Sequence, residues 1–546
     1  MEHYFSRLEK TIKNYWDENA LNDYGGDAFS FADLATYIEK FHILFDKIGV
    51  KKGDKIALCA KNSARWAISF LAINTYEAVV VPILSDFLPD SVAHLTKHSE
   101  SVVMFTDSDI WDKINPEERP SLKAVIDASK FSLITGNDEA VEAFDKLNEA
   151  FTAKYPMGFS RADVNYPKDN GKDLAVINYT SGTTSAPKGV MLRYECFSAT
   201  IEFGTNGVPV NHEDKMVSML PMGHIYGLVF EFLYPLCNGA KIFYLGKAPS
   251  PTLLLKAMKE VQPYAVITVP LVMEKVYKSS IKPAIKKFPV NILLHTPIIS
   301  DVIYKKIAQK LIDAFGGRVR EFIMGGAALN PEVEAVFRKM KLPYDVGYGM
   351  TEAAPLLAYE TPKKYAFGSC GKPVYCAEVR IDSEDPQHIA GEIQAKGTNI
   401  CSGYFNNPEA SANAFTDDGF LHTGDLGIMD KEGNIFIKGR SKNMILSANG
   451  QNIYPEEVEA VVNSQNYIAE SVVVDRNRKL VALVYLDADA IKKAGLDKEA
   501  ISDIPETVRI NSNRSLPAYS KISQGEVRME PFEKTPKMSI KRFLYK

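Results

Sequence analysis

The sequence predicts an α/β fold, in which a large N-terminal domain of helix-covered sheets precedes a small α+β C-terminal domain. Three short apolar runs indicate buried strands, at residues 174–179 (LAVINY), 264–269 (YAVITV) and 320–324 (REFIM). Helical patterns follow the second and third runs, and a repeated strand-then-helix order is typical of sheets covered by helices. The length of 546 residues exceeds what one compact core accommodates, so two or more domains are expected.

The third predicted strand leads through a short turn, which contains Gly326 and Ala327, into a helix. Asn330 suits the N-cap position of this helix and Pro331 suits its first turn. A one-sided apolar stripe with helical spacing follows, at Val333, Val336, Phe337 and Met340.

The last hundred or so residues have a different pattern, which predicts a separate small domain. Residues 455–462 indicate a helix, and residues 470–486 indicate a hairpin that turns around 475–479. The polar stretch 439–443 (GRSKN) is the best boundary, because domain boundaries fall in polar, exposed linkers. The prediction is a domain of residues 1–440 and a second domain of residues 441–546.

Composition excludes several classes of function. The formal net charge is -4, so no basic field exists to hold a nucleic acid backbone. The six cysteines form no CxxC pair, which argues against a disulfide scaffold or a structural zinc site. The N-terminus has no apolar signal core and the apolar runs are too short to cross a bilayer. We expect a cytoplasmic enzyme, and peripheral contact with the inner face of the membrane stays open.

The most informative segment is 179–190 (YTSGTTSAPKGV), in which glycine and hydroxyl side chains precede a lysine. Backbone N–H groups beside a glycine can approach an anion closely, and a lysine adds positive charge. These parts suit a polyphosphate, although such composition is also common in surface turns. The predicted phosphate-contacting residues are Thr180, Ser181, Gly182, Thr183, Thr184 and Lys188. A Walker A loop is excluded because no GK[ST] opens a helix here, and the loop is predicted to join two strands.

This segment resembles the phosphate-binding signature of the adenylate-forming superfamily, which contains acyl-CoA synthetases, firefly-type luciferases and adenylation domains. Further motifs follow in the order of that family: PMGHIYG at 221–227, YGMTE at 348–352, HTGD at 422–425 and KGRSKNMI at 438–445. The resemblance implies ATP and Mg²⁺ as cofactors, and coenzyme A as the co-substrate that accepts an activated acid.

The resemblance also assigns roles to residues of the large domain. It implies that Tyr348 stacks on adenine, that Thr351 contacts the α-phosphate, and that Glu352 holds Mg²⁺. Magnesium favours hard oxygen ligands and takes one or two carboxylates. Other implied positions are Thr184 at the metal, Gly326, Ala327 and Gly349 beside the nucleotide, and His224 near the acyl group.

Four further positions belong to the ribose, hinge and thiol segments of the family. The resemblance implies that Asp425 accepts hydrogen bonds from both ribose hydroxyls and that Arg440 reaches the nucleotide. Lys442 falls at the pivot of the small domain. Gly450, in the segment 447–457 (SANGQNIYPEE), falls where the thiol carrier enters.

The C-terminal lysine of the family, which bridges the carboxylate and the α-phosphate, is displaced in this sequence. Ser539 occupies its position in an ungapped reading of residues 535–542 (TPKMSIKR). Lys537 and Lys541 lie two residues away, on the same face if the segment is a strand. We expect one of these lysines to replace the missing one, while slow adenylation or loss of ligation stay as alternatives.

The acyl group is predicted to come from a long-chain fatty acid. No aspartate occurs at 216–247 to pair with an amino group, and 269–277 (VPLVMEKVY) resembles a segment of long-chain fatty acyl-CoA synthetases. The apolar run at 228–236 could line a hydrocarbon tunnel or form plain core. Two alternatives are an acyl carrier protein as acceptor, and a nucleotide- or fatty-acid-binding protein impaired in adenylation.

Overall fold

The structure, a computed structural model, describes residues 1–180, 187–246, 250–446, 451–477, 479–534 and 540–545. Most of the strands belong to the large domain. In chain order they are β1 (Asn19–Asp23), β2 (Ala28–Ser30), β3 (Lys55–Cys59), β4 (Val79–Pro82), β5 (Ser101–Thr106), β6 (Ala124–Asp127), β7 (Ser132–Gly136), β8 (Leu174–Thr180), β9 (Lys188–Arg193), β10 (Lys215–Ser218), β11 (Lys241–Tyr244), β12 (Ala265–Thr268), β13 (Glu321–Met324), β14 (Tyr344–Val346), β15 (Tyr348–Gly349), β16 (Leu356–Tyr359), β17 (Lys372–Pro373), β18 (Ala377–Asp382), β19 (Gly391–Gly397), β20 (Leu421–Met429) and β21 (Ile435–Arg440).

These strands form several sheets. A seven-stranded sheet has the order β7-β6-β5-β3-β4-β8-β9, with β7 and β9 antiparallel to their neighbours and the remaining strands parallel. Four strands form the sheet β10-β11-β1-β2, and β12-β13-β14 form a parallel sheet. Two antiparallel sheets, β15-β16-β17 and β18-β19-β20-β21, follow. The three strands predicted from the sequence are present as β8, β12 and β13.

Helices cover the sheets and connect their strands. They are α1 (Tyr4–Asn14), α2 (Phe31–Lys47), α3 (Ala64–Thr75), α4 (Pro89–His98), α5 (Ser108–Trp111), α6 (Asp138–Asp145), α7 (Leu147–Lys154), α8 (Tyr194–Gly207), α9 (Ile225–Gly227), α10 (Tyr234–Cys237), α11 (Pro251–Val261), α12 (Pro270–Val276), α13 (Lys282–Lys286), α14 (Val290–Leu293), α15 (Pro297–Ala314), α16 (Pro331–Met340) and α17 (Pro408–Ala412). Two π-helical turns, Leu228–Leu233 and Tyr277–Ile281, continue α9 and α12.

Helix α3 lies between two of the sheets. It contacts β1 on one side and β3 and β4 on the other, and all its residues except Arg65 are buried. A helix that is buried on every side needs apolar residues all round. The indole of Trp66 stacks on Phe70, and the ring of Phe232 meets both edge-on. This aromatic group joins the core of the seven-stranded sheet to the π-helical turn Leu228–Leu233.

The parallel strands β12, β13 and β14 end at one edge of their sheet, where ligands commonly bind in α/β folds. The helix predicted after β13 is present as α16. The Asn330 side chain accepts a hydrogen bond from the backbone N–H of Glu332 at 2.9 Å, as an N-cap does.

The small domain has the predicted helix and hairpin. Its strands are β22 (Ile445–Leu446), β23 (Asn452–Ile453), β24 (Ile468–Arg476), β25 (Lys479–Leu486) and β26 (Ile522–Arg528), and its helices are α18 (Pro455–Asn463), α19 (Ala488–Ala494), α20 (Lys498–Ser502) and α21 (Ile504–Ser515). Strands β24, β25 and β26 form one sheet, covered by α18 and α21. The boundary predicted after residue 440 corresponds to the end of β21.

Two side chains of the large domain hold the C-terminal end of α18. The ammonium of Lys278 donates to the carbonyls of Asn463 at 3.0 Å and Ile468 at 3.2 Å. The amide of Asn330 donates to the carbonyl of Ala460 at 2.9 Å. Donors at this position satisfy carbonyls that lack partners within a helix, and a cation also complements the helix dipole.

Among the described residues, no helix is both long enough and apolar enough to cross a bilayer.

Gly349 permits the turn that carries YGMTE, because a Cβ atom there would overlap the carbonyl oxygen of Pro355. We predict that Gly349→Ala forces the backbone apart and lowers the free energy of unfolding by about 2 kcal/mol, as overpacked sites do. Urea unfolding and thermal unfolding check this. Gly171→Ala is the control, because a Cβ there meets no atom within 4 Å, and an equal loss in both variants would contradict the prediction.

Candidate active site

The predicted phosphate loop is the tip of an antiparallel hairpin. Strand β8 ends at Thr180 and β9 begins at Lys188, and these two residues are register partners. The Thr180 hydroxyl donates weakly to the Lys188 carbonyl at 3.4 Å. The structure therefore confirms that the loop joins two strands. The predicted contacts Ser181, Gly182, Thr183 and Thr184 lie outside the described residues.

A second segment, residues 402–405, lies beside β9 and continues its backbone pairing. The N–H of Met191 donates to Gly403 at 3.0 Å, and the N–H of Phe405 donates to Gly189 at 2.8 Å. The Glu352 carbonyl accepts from the N–H of Cys401 at 2.8 Å. These bonds bring the YGMTE segment next to the hairpin.

Tyr404 connects the lysine of the hairpin to the glutamate of YGMTE. The ammonium of Lys188 lies 4.8 Å from the centre of the Tyr404 ring, and the Tyr404 hydroxyl donates to Glu352 Oε1 at 3.0 Å. The two residues that carry the phosphate prediction, Lys188 and Glu352, thus lie beside the same tyrosine. Sequence reasoning missed Tyr404, because an aromatic residue between Gly403 and Phe405 gives no signal of a binding role.

Glu352 is the described residue that best fits a magnesium ion. It is buried next to Thr351 in the turn Thr351–Ala353. In the part of the chain that the structure describes, no three or more His, Cys, Asp or Glu side chains are grouped so that they could hold a metal ion. Magnesium is commonly held by one or two carboxylates together with substrate phosphates, so a single carboxylate beside a phosphate loop is a chemically suitable donor set.

Tyr348, Asp425 and Arg440 form a second contact group. The Tyr348 hydroxyl donates to Asp425 Oδ2 at 2.8 Å, and Arg440 Nε lies 2.8 Å from Asp425 Oδ1. Asp425 and Arg440 are partners across β20 and β21. Burial raises the pKa of Asp425, and the guanidinium of Arg440 opposes that rise. Each carboxylate oxygen can accept more than one hydrogen bond, so Asp425 can still accept from a ligand.

The segment Pro221 to Gly227 approaches the carboxyl ends of β12 and β13. The Tyr226 hydroxyl lies 3.4 Å from the Thr268 carbonyl and 3.3 Å from the Ile323 carbonyl. His224 begins α9, and its Nδ1 accepts from the N–H of Tyr226 at 3.2 Å. Gly326 and Ala327 are exposed just after β13, at the same edge of the sheet.

Glu231 is a buried acid that holds the start of this segment, and sequence reasoning missed it. It lies in the π-helical turn, and its Oε2 accepts from Ser218 Oγ at 3.1 Å, Met219 N at 3.0 Å and Leu220 N at 2.9 Å. Burial raises the pKa of Glu231 to about 8, although these three hydrogen bonds each act to lower it. The sequence did contain a signal for Glu231, because it is the one acidic residue within the apolar run 228–236.

The residues predicted in the small domain have mixed outcomes. Lys442 is exposed in the turn Ser441–Asn443, directly after β21. Lys541 pairs with Glu533 of the same domain at 3.5 Å. It follows the bridge residue Ile540, and its backbone N–H donates to the Glu533 carbonyl at 2.9 Å. That Lys541 shares a face with Ser539 stays a prediction. Lys537, Ser539 and Gly450 lie outside the described residues.

Comparison with known proteins matches two family models to this chain. The model "AMP-binding enzyme" covers residues 8–405, and the model "AMP-binding enzyme C-terminal domain" covers residues 442–545. The chain belongs to the AMP-binding enzyme family. This membership confirms the resemblance to the adenylate-forming superfamily.

Curated relatives of the chain include ligases with different acids and acceptors. Long-chain-fatty-acid–CoA ligase 1 of Cavia porcellus is 28% identical over 89% of this chain and 76% of its own length. The 4-coumarate–CoA ligase 4 of Arabidopsis thaliana is 28% identical over 82% of this chain and 75% of its own. A chloroplastic long-chain-fatty-acid–acyl-carrier-protein ligase of Arabidopsis thaliana is 26% identical over 80% of this chain and 69% of its own.

Among solved structures, ATP-bound MatB from Rhodopseudomonas palustris is similar to this chain. The TM-score is 0.77 with 21% sequence identity, and the match covers 100% of this chain and 98% of MatB. The similarity confirms the α/β fold with a large and a small domain.

Glu231 generates a pH prediction. A carboxyl group whose pKa rises on folding, here from 4.5 to about 8, contributes its full share of stability below pH 4.5 and loses it as pH rises towards 8. We predict that the melting temperature of the wild type falls between pH 5 and pH 8 relative to that of Glu231→Gln. The difference corresponds to at most on the order of 4 kcal/mol.

Differential scanning calorimetry across this pH range checks the prediction, with Glu149→Gln as the control at an exposed helix position. If the melting temperatures of the wild type and Glu231→Gln change in parallel with pH, Glu231 ionises normally in the folded chain and the prediction is wrong.

Proposed function

We propose that this chain uses ATP to activate a long-chain fatty acid and then transfers the acyl group to coenzyme A. The observation that carries the proposal is the contact series from Lys188 through Tyr404 to Glu352, at the base of the glycine- and hydroxyl-rich hairpin. This arrangement offers a cation and a metal-binding carboxylate to one polyphosphate. The family membership and the fatty-acid ligase among the relatives support the reaction type.

In the first step a carboxylate oxygen of the acid attacks the α-phosphorus of ATP, and the bond to the bridging oxygen breaks to release pyrophosphate. Lys188 and the hairpin residues 180–184 hold the triphosphate, and Thr351 lies beside Glu352 to contact the α-phosphate. When bound at Glu352 and Thr184, Mg²⁺ would supply charge neutralisation. Holding the reactants in line lowers the entropic part of the barrier.

The nucleoside is held by the second contact group. Tyr348 packs on adenine beside Gly349, Gly326 and Ala327, while Asp425 accepts from the ribose and Arg440 keeps that carboxylate oriented. In the second step the thiol of coenzyme A, entering near Gly450, attacks the acyl carbon and AMP leaves. The small domain turns about Lys442 between the two steps, so one cleft serves both reactions.

The identity of the substrate acid is proposed from the residues that surround Tyr226 and His224. Apolar residues dominate the run 228–236, and its one acid, Glu231, is bonded to the Ser218, Met219 and Leu220 groups. No carboxylate of this segment is therefore left to pair with a substrate amine. Each methylene buried from water contributes about 0.8 kcal/mol, so a hydrocarbon chain could dominate affinity.

Two alternatives have specific support. An acyl carrier protein as acceptor is favoured by the carrier-protein ligase among the relatives. A binding protein impaired in adenylation is favoured by Ser539, which stands where the family has lysine.

We predict that fatty acids drive the exchange of labelled pyrophosphate into ATP, and that chelation of Mg²⁺ abolishes the exchange. Saturated acids of increasing chain length are compared with 4-coumarate, and coenzyme A and carrier protein are offered in parallel thioester assays. Lys188→Ala and Glu352→Gln are expected to lose about 100-fold in exchange rate, as when a charge-stabilising group is removed. Lys172→Ala, at an exposed lysine, is the matched control.

The absence of acid-dependent exchange at every chain length would reject the ligase. Exchange that occurs with 4-coumarate but with no fatty acid would contradict the proposed substrate. The proposed adenylate-forming reaction would then still hold.

We predict that Ser539→Lys keeps or raises the exchange rate, because it restores a cation at the position used in the family. Lys537→Ala and Lys541→Ala identify the lysine that replaces it, since the responsible one should slow exchange. The second half-reaction, measured from supplied acyl-adenylate, should not change. A large loss of exchange in Ser539→Lys would show that the serine itself is required.

A further inference from the structure

The connection between β12 and β13 is long and carries an exposed apolar surface. A crossover between neighbouring parallel strands needs about a dozen residues, whereas this one runs over residues 269–320. The added length contains α13, α14 and the start of α15. Its exposed apolar side chains, here called the crossover surface, are Phe288, Ile292, Leu293, Ile298, Ile299 and Val302.

These side chains are unusually open to water. Phe288 is 73% exposed and Ile298 is 83% exposed. Soluble proteins tolerate single exposed apolar residues, but a concentration of large ones within a short segment marks an interaction site.

Positive charge flanks the crossover surface on both sides. Lys286 and Lys287 directly precede Phe288, and Lys305 and Lys306 follow Val302 within one turn of α15; all four are exposed. None of these four forms an ion pair with another residue inside the described ranges. No acidic residue occurs at 275–300, although the whole chain carries a net charge of -4.

The one acid inside the surface is already engaged. Asp301 lies 3.2 Å from the ammonium of Lys341, the residue that follows α16. The charge presented outward by this segment is therefore positive.

We propose that the crossover surface docks on an anionic lipid bilayer. Apolar side chains between basic pairs are the arrangement by which interfacial segments bind membranes, with the apolar groups in the headgroup region and the lysines at the phosphates. Each lysine near an anionic surface strengthens binding about five-fold. Lipid fits because large exposed apolar side chains and exposed lysines lie along one segment, which matches the acyl and phosphate parts of an anionic bilayer.

The position of the crossover surface in the chain suggests a role for membrane docking. This role rests on the proposed function. The crossover begins directly after Thr268, whose carbonyl lies 3.4 Å from the hydroxyl of Tyr226. Tyr226 belongs to residues 221–227, the segment expected near the acyl group. The connection that carries the crossover surface thus begins next to Tyr226, at the segment proposed to receive the acid. Under the proposed function, docking on a bilayer would hold the enzyme at a source of fatty acid.

The test is cosedimentation of the full chain with vesicles, without ATP or acid. The chain is expected to bind vesicles of phosphatidylglycerol and phosphatidylcholine in equal parts, and to bind phosphatidylcholine alone much more weakly. The double variant Lys286→Glu/Lys287→Glu should lose more than about ten-fold in binding. The variant Phe288→Ser/Ile298→Ser should lose binding as well, while thermal unfolding confirms that both variants fold.

The charge-matched control is Lys492→Glu/Lys493→Glu on α19, which is also exposed, and Met157→Ser is the apolar control. No binding of the wild type to anionic vesicles would overturn the proposal. An equal loss in the control variants would also overturn it, and so would self-association or carrier-protein binding through this surface without vesicle binding. Pyrophosphate exchange with a water-soluble acid is measured separately, so failure of the ligase reaction leaves the vesicle result standing.

Discussion

The backbone hydrogen bonds between β9 and residues 402–405 are the constraint on which the candidate active site depends. They fix the end of the hairpin at Lys188 against Tyr404, and through Tyr404 against Glu352. Gly189 is required at the crossing, since a Cβ there would lie 2.8 Å from the Ile177 side chain and 3.2 Å from the Tyr179 ring. A shift of one residue in the register of β9 would turn Lys188 to the other face of the strand. Its ammonium would then move away from Tyr404 and Glu352.

Local pattern was sufficient for much of the fold. The apolar run of β8, the Asn330-Pro331 helix start and the hairpin of β24 and β25 each depend on neighbours in sequence, so spacing alone predicted them. The YGMTE motif likewise placed Glu352 in a turn that follows a strand. HTGD, which resembles a turn of the family, lies instead within strand β20, where Asp425 pairs with Arg440.

Contacts between distant segments could not be predicted in this way. Tyr404 reaches Glu352 from another part of the chain, and nothing in its neighbours marks it. Glu231 gave a signal, a charge in an apolar run, but its three donors come from the end of β10. The displaced lysine near Ser539 stays a prediction, because Lys537 and Ser539 lie outside the described residues and Lys541 pairs with Glu533 of its own domain.

The buried position of Glu231 has a consequence for the substrate. Burial raises the pKa of this side chain to about 8, which favours its protonated, uncharged form at neutral pH. Under the proposed function a carboxylate binds near Tyr226, and a charged Glu231 would repel it more strongly in a medium of low dielectric than in water. An uncharged glutamate anchors the backbone of Met219 and Leu220 without adding that repulsion.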